Sequence, residues 1–121
     1  MIADRTPAIL ISLFLSLRQQ YHIVGLTADE TAVVGMCREA NPDVVLLDNR
    51  MGGADVIKQI KACCPHAAVV VLTPFGEPSK IQAALDAGAS GHITKAAGLP
   101  GIANQLQALT AHFTKGDNED G

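Results

Sequence analysis

Two uninterrupted apolar runs dominate the hydropathy pattern, Val44-Val45-Leu46-Leu47 and Val69-Val70-Val71-Leu72. Runs of β-branched and leucyl residues without polar alternation read as strands buried on both faces of a parallel sheet. The first run ends in Asp48, the second in Thr73, and a shorter stretch, Gly91-His92-Ile93-Thr94, ends in Lys95. Two further strands are expected, a stub at Ile2-Ala3 and a segment from Tyr21 to Leu26. Between them the pattern changes to helical. Thr6-Pro7 combines an N-cap hydroxyl with proline at the first helical position. Thr27-Ala28-Asp29-Glu30 has the form of a capping box, which predicts a helix from about Ala28 to Ala40, stopped at Asn41-Pro42. A third helix is expected over about Ala54 to Cys64, ending before Pro65. A fourth starts at Pro78 and is closed by Gly88, and a fifth runs from the Gly98–Gly101 stretch to about Phe113. Five strands and five helices in strict alternation predict an α/β, doubly wound parallel sheet.

In open sheets of this kind, chemistry collects at the carboxyl ends of the strands. Asp48, Thr73 and Lys95 therefore bring a carboxylate, a hydroxyl and an ammonium to one sheet edge. Asp48 is followed by a glycine-bearing loop, Asn49-Arg50-Met51-Gly52-Gly53. An aspartate after a strand can equally be a turn residue, and the ordered partners at 73 and 95 argue for a site.

The first helix carries an unusual amount of apolar surface. Ile9, Leu13 and Leu17 recur at four-residue spacing and are expected on its inner face. Leu10, Ile11 and Phe14 are then left pointing outward, as an interaction surface that a second copy could cover in a homodimer. The alternative is that the short first strand shifts the helix and buries both faces. The uncharged stretch Pro7 to Leu17 is too short to span a membrane, and Arg18-Gln19-Gln20-Tyr21 after it is no signal-peptidase site.

Length and charge narrow the field. At 121 residues the chain makes one domain, expected over 1–114, with a disordered polar tail over 115–121. A net charge of −3 argues against direct nucleic-acid binding, which needs clustered cations. Cys37, Cys63 and Cys64 are odd in number and lack metal-ligand spacing, as in a reduced, cytoplasmic protein. No phosphate-cradling glycine loop follows the first strand, and no nucleophile–base pair is evident, so an enzyme or cofactor binder is not expected.

With these segments in order, the chain resembles the receiver domains of bacterial two-component response regulators, especially the NarL/LuxR type. The resemblance rests on Pro42-Asp43-Val44-Val45-Leu46-Leu47-Asp48, then Val71-Leu72-Thr73, then Ala87-Gly88-Ala89-Ser90-Gly91-His92-Ile93-Thr94-Lys95, and spans almost the whole chain. It implies a flavodoxin-like sheet in the order 2-1-3-4-5. It also implies that Asp48 accepts a phosphoryl group from a sensor histidine kinase, that Thr73 hydrogen-bonds the phosphoryl oxygen and that Lys95 pairs with it. His92 stands at the family's aromatic switch position, as a switch or as a half-exposed strand histidine. Relatives of this type carry a helix-turn-helix output domain, which regulates transcription and is missing from this chain.

The metal half of the site departs from the family. Two adjacent acids usually follow the first strand, and here the pair is Asp4-Arg5. A magnesium ion would be held weakly by Asp4, Asp48 and the backbone carbonyl of Arg50. In one reading the ion still binds and Arg5 swings outward. In the other the Arg5 guanidinium fills the metal position and pairs with Asp48. The domain would then be a phosphorylation-independent pseudo-receiver, acting as an interaction or dimerisation module. Gly52 also replaces a common loop proline. Finally, only Met1-Ile2 precede Ala3, so a central strand is short and the domain correspondingly weakened.

Overall fold

In the computed structural model the structure describes residues 1–74 and 78–111. Five parallel strands are β1 (Ile2–Ala3), β2 (Leu26–Thr27), β3 (Val44–Asp48), β4 (Ala68–Thr73) and β5 (Gly91–Thr94). They lie in the order β2-β1-β3-β4-β5, the flavodoxin-like arrangement. The helices are α1 (Pro7–Leu17), α2 (Val33–Ala40), α3 (Gly53–Cys63), α4 (Pro78–Asp86) and α5 (Gly98–Asp120). The tail expected at 115–121 and the helix end expected at Phe113 lie outside the described residues.

Successive residues of a strand face opposite sides, and β3 and β4 divide accordingly. Val45, Leu47, Val69 and Val71 join Val33, Cys37, Ile57, Ile60 and Ala84 beneath α2, α3 and α4. Leu46, Val70 and Leu72 join Leu13, Leu17, Ile93, Ile102 and Leu106 beneath α1 and α5. All six residues of β4 are buried. Covering on both faces explains why these strands read as unbroken apolar runs. The thiol of Cys64 lies 3.6 Å from that of Cys63 and donates to the Cys37 carbonyl, and Cys37 and Cys64 are buried.

Four local expectations are corrected. The second strand was expected over Tyr21–Leu26, but only Leu26 and Thr27 pair, because β1 offers just two residues, Ile2 opposite Leu26 and Ala3 opposite Thr27. Thr27 is not the cap of a helix starting at Ala28. Its hydroxyl accepts the Asp29 N–H at 3.0 Å, Asp29 caps a 3₁₀ turn at Glu30–Ala32, and α2 starts at Val33. The inner face of α1 is Leu10, Leu13 and Leu17, with Ile9 half-buried on its flank. Leu10 is therefore core, not interface: spacings of three and four residues follow the 3.6-residue turn more closely than a strict four. Of the expected outer residues, Ile11 is exposed, and Phe14 is half-buried, with the Arg18 guanidinium 5.9 Å from its ring centroid.

Candidate functional site

Register alone brings the first site residues together. Asp48 pairs with Leu72 across β3 and β4, and Thr73 pairs with Thr94 across β4 and β5, one residue before Lys95. Asp4 directly follows β1, and its N–H donates to the Thr27 carbonyl at 3.1 Å. Four consecutive strands of the sheet thus end around one point, where Asp4, Asp48 and Thr73 are all buried.

Lys95 joins the two carboxylates. Its Nζ lies 2.9 Å from Asp4 Oδ2 and 3.4 Å from Asp48 Oδ1. Asp4 Oδ2 has no aligned hydrogen bond, so charge alone holds it there. Asp4 Oδ1 accepts the Thr6 N–H at 2.9 Å, which ties the carboxylate to the loop before α1.

Of the two placements open to Arg5, the structure has the outward one, and a different arginine meets Asp48. Arg5 is exposed and lines a groove of about 450 Å³ between α3 and α4, together with Asn49, Arg50, Thr73 and Lys80. The side chain of Arg50 closes on the carboxylate instead. Its Nη2 and Nε lie 3.1 Å and 3.2 Å from Asp48 Oδ2, while its backbone N–H donates to Oδ1 at 3.4 Å. Nη2 also reaches Thr6 Oγ1 at 3.5 Å. The expected role of Arg50 lies in its backbone carbonyl; the contact of its guanidinium with Asp48 is not legible in the sequence. The only available signal was a cation two residues after the loop carboxylate, and one spacing does not fix a rotamer.

Two further details bear on chemistry. Thr73 Oγ1 is buried without a hydrogen-bond partner, a state that costs about 1–3 kcal/mol and points to an absent acceptor or donor. Gly52, just before α3, has a φ of +90°, where a Cβ would run into the Val56 side chain. Proline is fixed near −65°, so a proline at this position could not follow the loop's path. His92 is exposed on β5. Among the described residues no group of three His, Cys, Asp or Glu could hold a metal ion, and no helix is long and apolar enough to cross a membrane.

The family model for the response regulator receiver domain matches residues 1–107. The chain belongs to that family. Response regulator protein VraR of Staphylococcus aureus is 32% identical over 100 residues, which are 80% of this chain and 48% of VraR. The chain thus spans about half the length of the curated relatives it matches. Among solved structures, the signal receiver domain of the response regulator NarL from Mycobacterium tuberculosis superposes with a TM-score of 0.80 at 25% identity, covering 90% of this chain and 93% of that one. The isolated receiver domain of RcsB from Salmonella enterica, determined with the phosphomimetic BeF3-, gives 0.73 at 30% identity over 88% and 86%. This chain is accordingly a receiver domain of a two-component response regulator, with LuxR-type neighbours.

Proposed function

We propose that Asp48 is the phosphoacceptor of this receiver, loaded by a sensor histidine kinase, and that the modified domain acts on a transcriptional output partner. The observation that carries the reading is the buried pair of carboxylates on one ammonium, with the unpartnered Thr73 hydroxyl at the end of the neighbouring strand. In the transfer, an Asp48 oxygen forms a bond to phosphorus while the N–P bond of the kinase phosphohistidine breaks. The electron pair leaves with the imidazole, which then takes a proton. Negative charge on the transferring oxygens needs fixed cations and donors. Lys95 supplies the cation and Thr73 Oγ1 the donor, so a hydroxyl that is orphaned in the unmodified protein gains an acceptor. His92, on the strand beside Thr73, is the candidate switch side chain, turning inward when Thr73 moves.

Receiver domains typically bind Mg²⁺ at this pocket, and the donor set fits a weak site. Asp4, Asp48 and the Arg50 carbonyl are hard oxygen donors, in line with a preference for one or two carboxylates plus phosphate oxygens. When bound, the ion would neutralise phosphoryl charge beside Lys95. The role is signalling rather than substrate turnover. Incubation with phosphoramidate and Mg²⁺, followed by intact-mass and peptide analysis, tests the assignment. One phosphoryl group on Asp48, base-labile and lost in Asp48→Asn, is expected. Modification elsewhere, or none, would remove Asp48 from this role.

A further inference from the structure

Charge counting in the pocket leads beyond this reading. Asp4 and Asp48 contribute two negative charges, and Lys95 and Arg50 contribute two positive ones, all linked by contacts of 3.4 Å or less. Among the described residues, these four linked charges balance one another. Both Asp48 oxygens are also engaged, Oδ1 by Lys95 and the Arg50 amide, Oδ2 by the guanidinium fork. The two cations differ in how firmly they are held. The side chain of Lys95 is 15% exposed and that of Arg50 is 47% exposed. Arg50 can leave Asp48 without opening the core, and among the described residues its side chain's other tie is the long contact to Thr6 Oγ1.

We propose that Arg50 is a displaceable cover on Asp48, a positioning residue that occupies Oδ2 in the unmodified protein and competes with a divalent cation for it. The inference rests on the receiver reading and adds a specific regulator to it: loading is gated by the exchange of a guanidinium for a metal ion. A guanidinium suits this role because its planar fork matches both carboxylate and phosphate and it cannot lose its charge. Arg5, exposed at the groove rim, does not contact Asp48 and is not the competitor.

The test is a Mg²⁺ titration of the intact chain, followed by amide chemical shifts, in the native protein and in Arg50→Ala, Arg50→Gln and Arg50→Lys. Removing the charge in Ala or Gln is expected to tighten Mg²⁺ binding roughly tenfold, since ligand charge governs such sites. Lysine keeps the charge but not the fork and is expected to tighten it less than about threefold. Competition has a second signature. Phosphoramidate loading at sub-saturating Mg²⁺ should be faster in Arg50→Ala, and the difference should vanish at saturating Mg²⁺. Ala and Gln variants with native Mg²⁺ affinity would overturn the cover. Should both native and variant proteins load Asp48 with equal Mg²⁺ affinity, the cover fails and the receiver reading stands. Should neither load Asp48 at any Mg²⁺ concentration, the receiver reading itself fails.

Discussion

Asp48, Thr73 and Lys95 stand at the ends of strands that are hydrogen-bonded to one another, whereas Arg5 and Arg50 stand on the loops after β1 and β3. The strand-end group is buried or nearly so, and its members are positioned by register: a one-residue slip would turn every side chain of a strand to the other face. The loop group is exposed, so its placement rests on side-chain conformation rather than on register. The strand-end group therefore meets in a buried cluster, while the two loop arginines part, Arg50 closing on Asp48 and Arg5 turning to the groove. Constraint explains the difference. A residue whose neighbours are fixed by a sheet can change only at the cost of the core, while an exposed loop residue can change at little cost to folding.

The contrast is broken most forcefully at Lys95. Lys95→Met would leave two buried carboxylates beside each other with only Arg50 to compensate. A loss of about 3–5 kcal/mol is expected in urea unfolding, with a substantial part recovered on adding Asp4→Asn. A loss below about 1 kcal/mol would mean that the strand-end group is no more constrained than the loops.

Gly52→Ala probes a loop position beside the pocket where constraint should match that of a strand. A φ of +90° and contact with Val56 predict a loss of about 1–3 kcal/mol in thermal or urea unfolding. Near-native stability would show that the loop takes another path.

Thr73→Val separates stability from function within the strand-end group. Replacing an unpartnered buried hydroxyl by a methyl of similar shape should leave the unmodified protein unchanged or up to about 1 kcal/mol more stable. The same change should weaken phosphoryl-dependent responses, read as a smaller amide-shift change on phosphoramidate treatment. A clear loss of stability would reveal a partner for Thr73 in the unmodified state.

Arg5→Asp is the mildest change. Its exposure predicts stability within about 0.5 kcal/mol of native and a several-fold gain in Mg²⁺ affinity from the added carboxylate. Combined with Arg50→Ala the two gains should exceed either alone, because one adds a ligand and the other removes a competitor.

Much of this could be read from the chain. The runs at 45–47 and 69–72 are buried on both faces in the structure, which is why they carry no polar alternation. Asp48, Thr73 and Lys95 follow such runs directly, and the parallel register then forces them to one edge. The stub at Ile2-Ala3 was also visible, but its effect on β2 was not. A strand exists only where a partner exists: the Gly25 carbonyl still accepts the Ile2 N–H, but Tyr21 to Val24 have strand character with no residue of β1 opposite them. Leu10 was misassigned because helix periodicity leaves a phase to be chosen, and packing against the sheet and α5 chooses it.

What the sequence by itself determined is the alternation of elements, the parallel sheet and the identity of three strand-end residues, because each follows from local pattern and chain order. What only the tertiary structure decided is which cation meets Asp48. Arg5 and Arg50 lie 45 residues apart on neighbouring loops, and either could have reached the pocket. The outcome is a side-chain conformation, fixed by the contacts of Arg50 with Asp48 and Thr6, which form only after the sheet has brought those loops together.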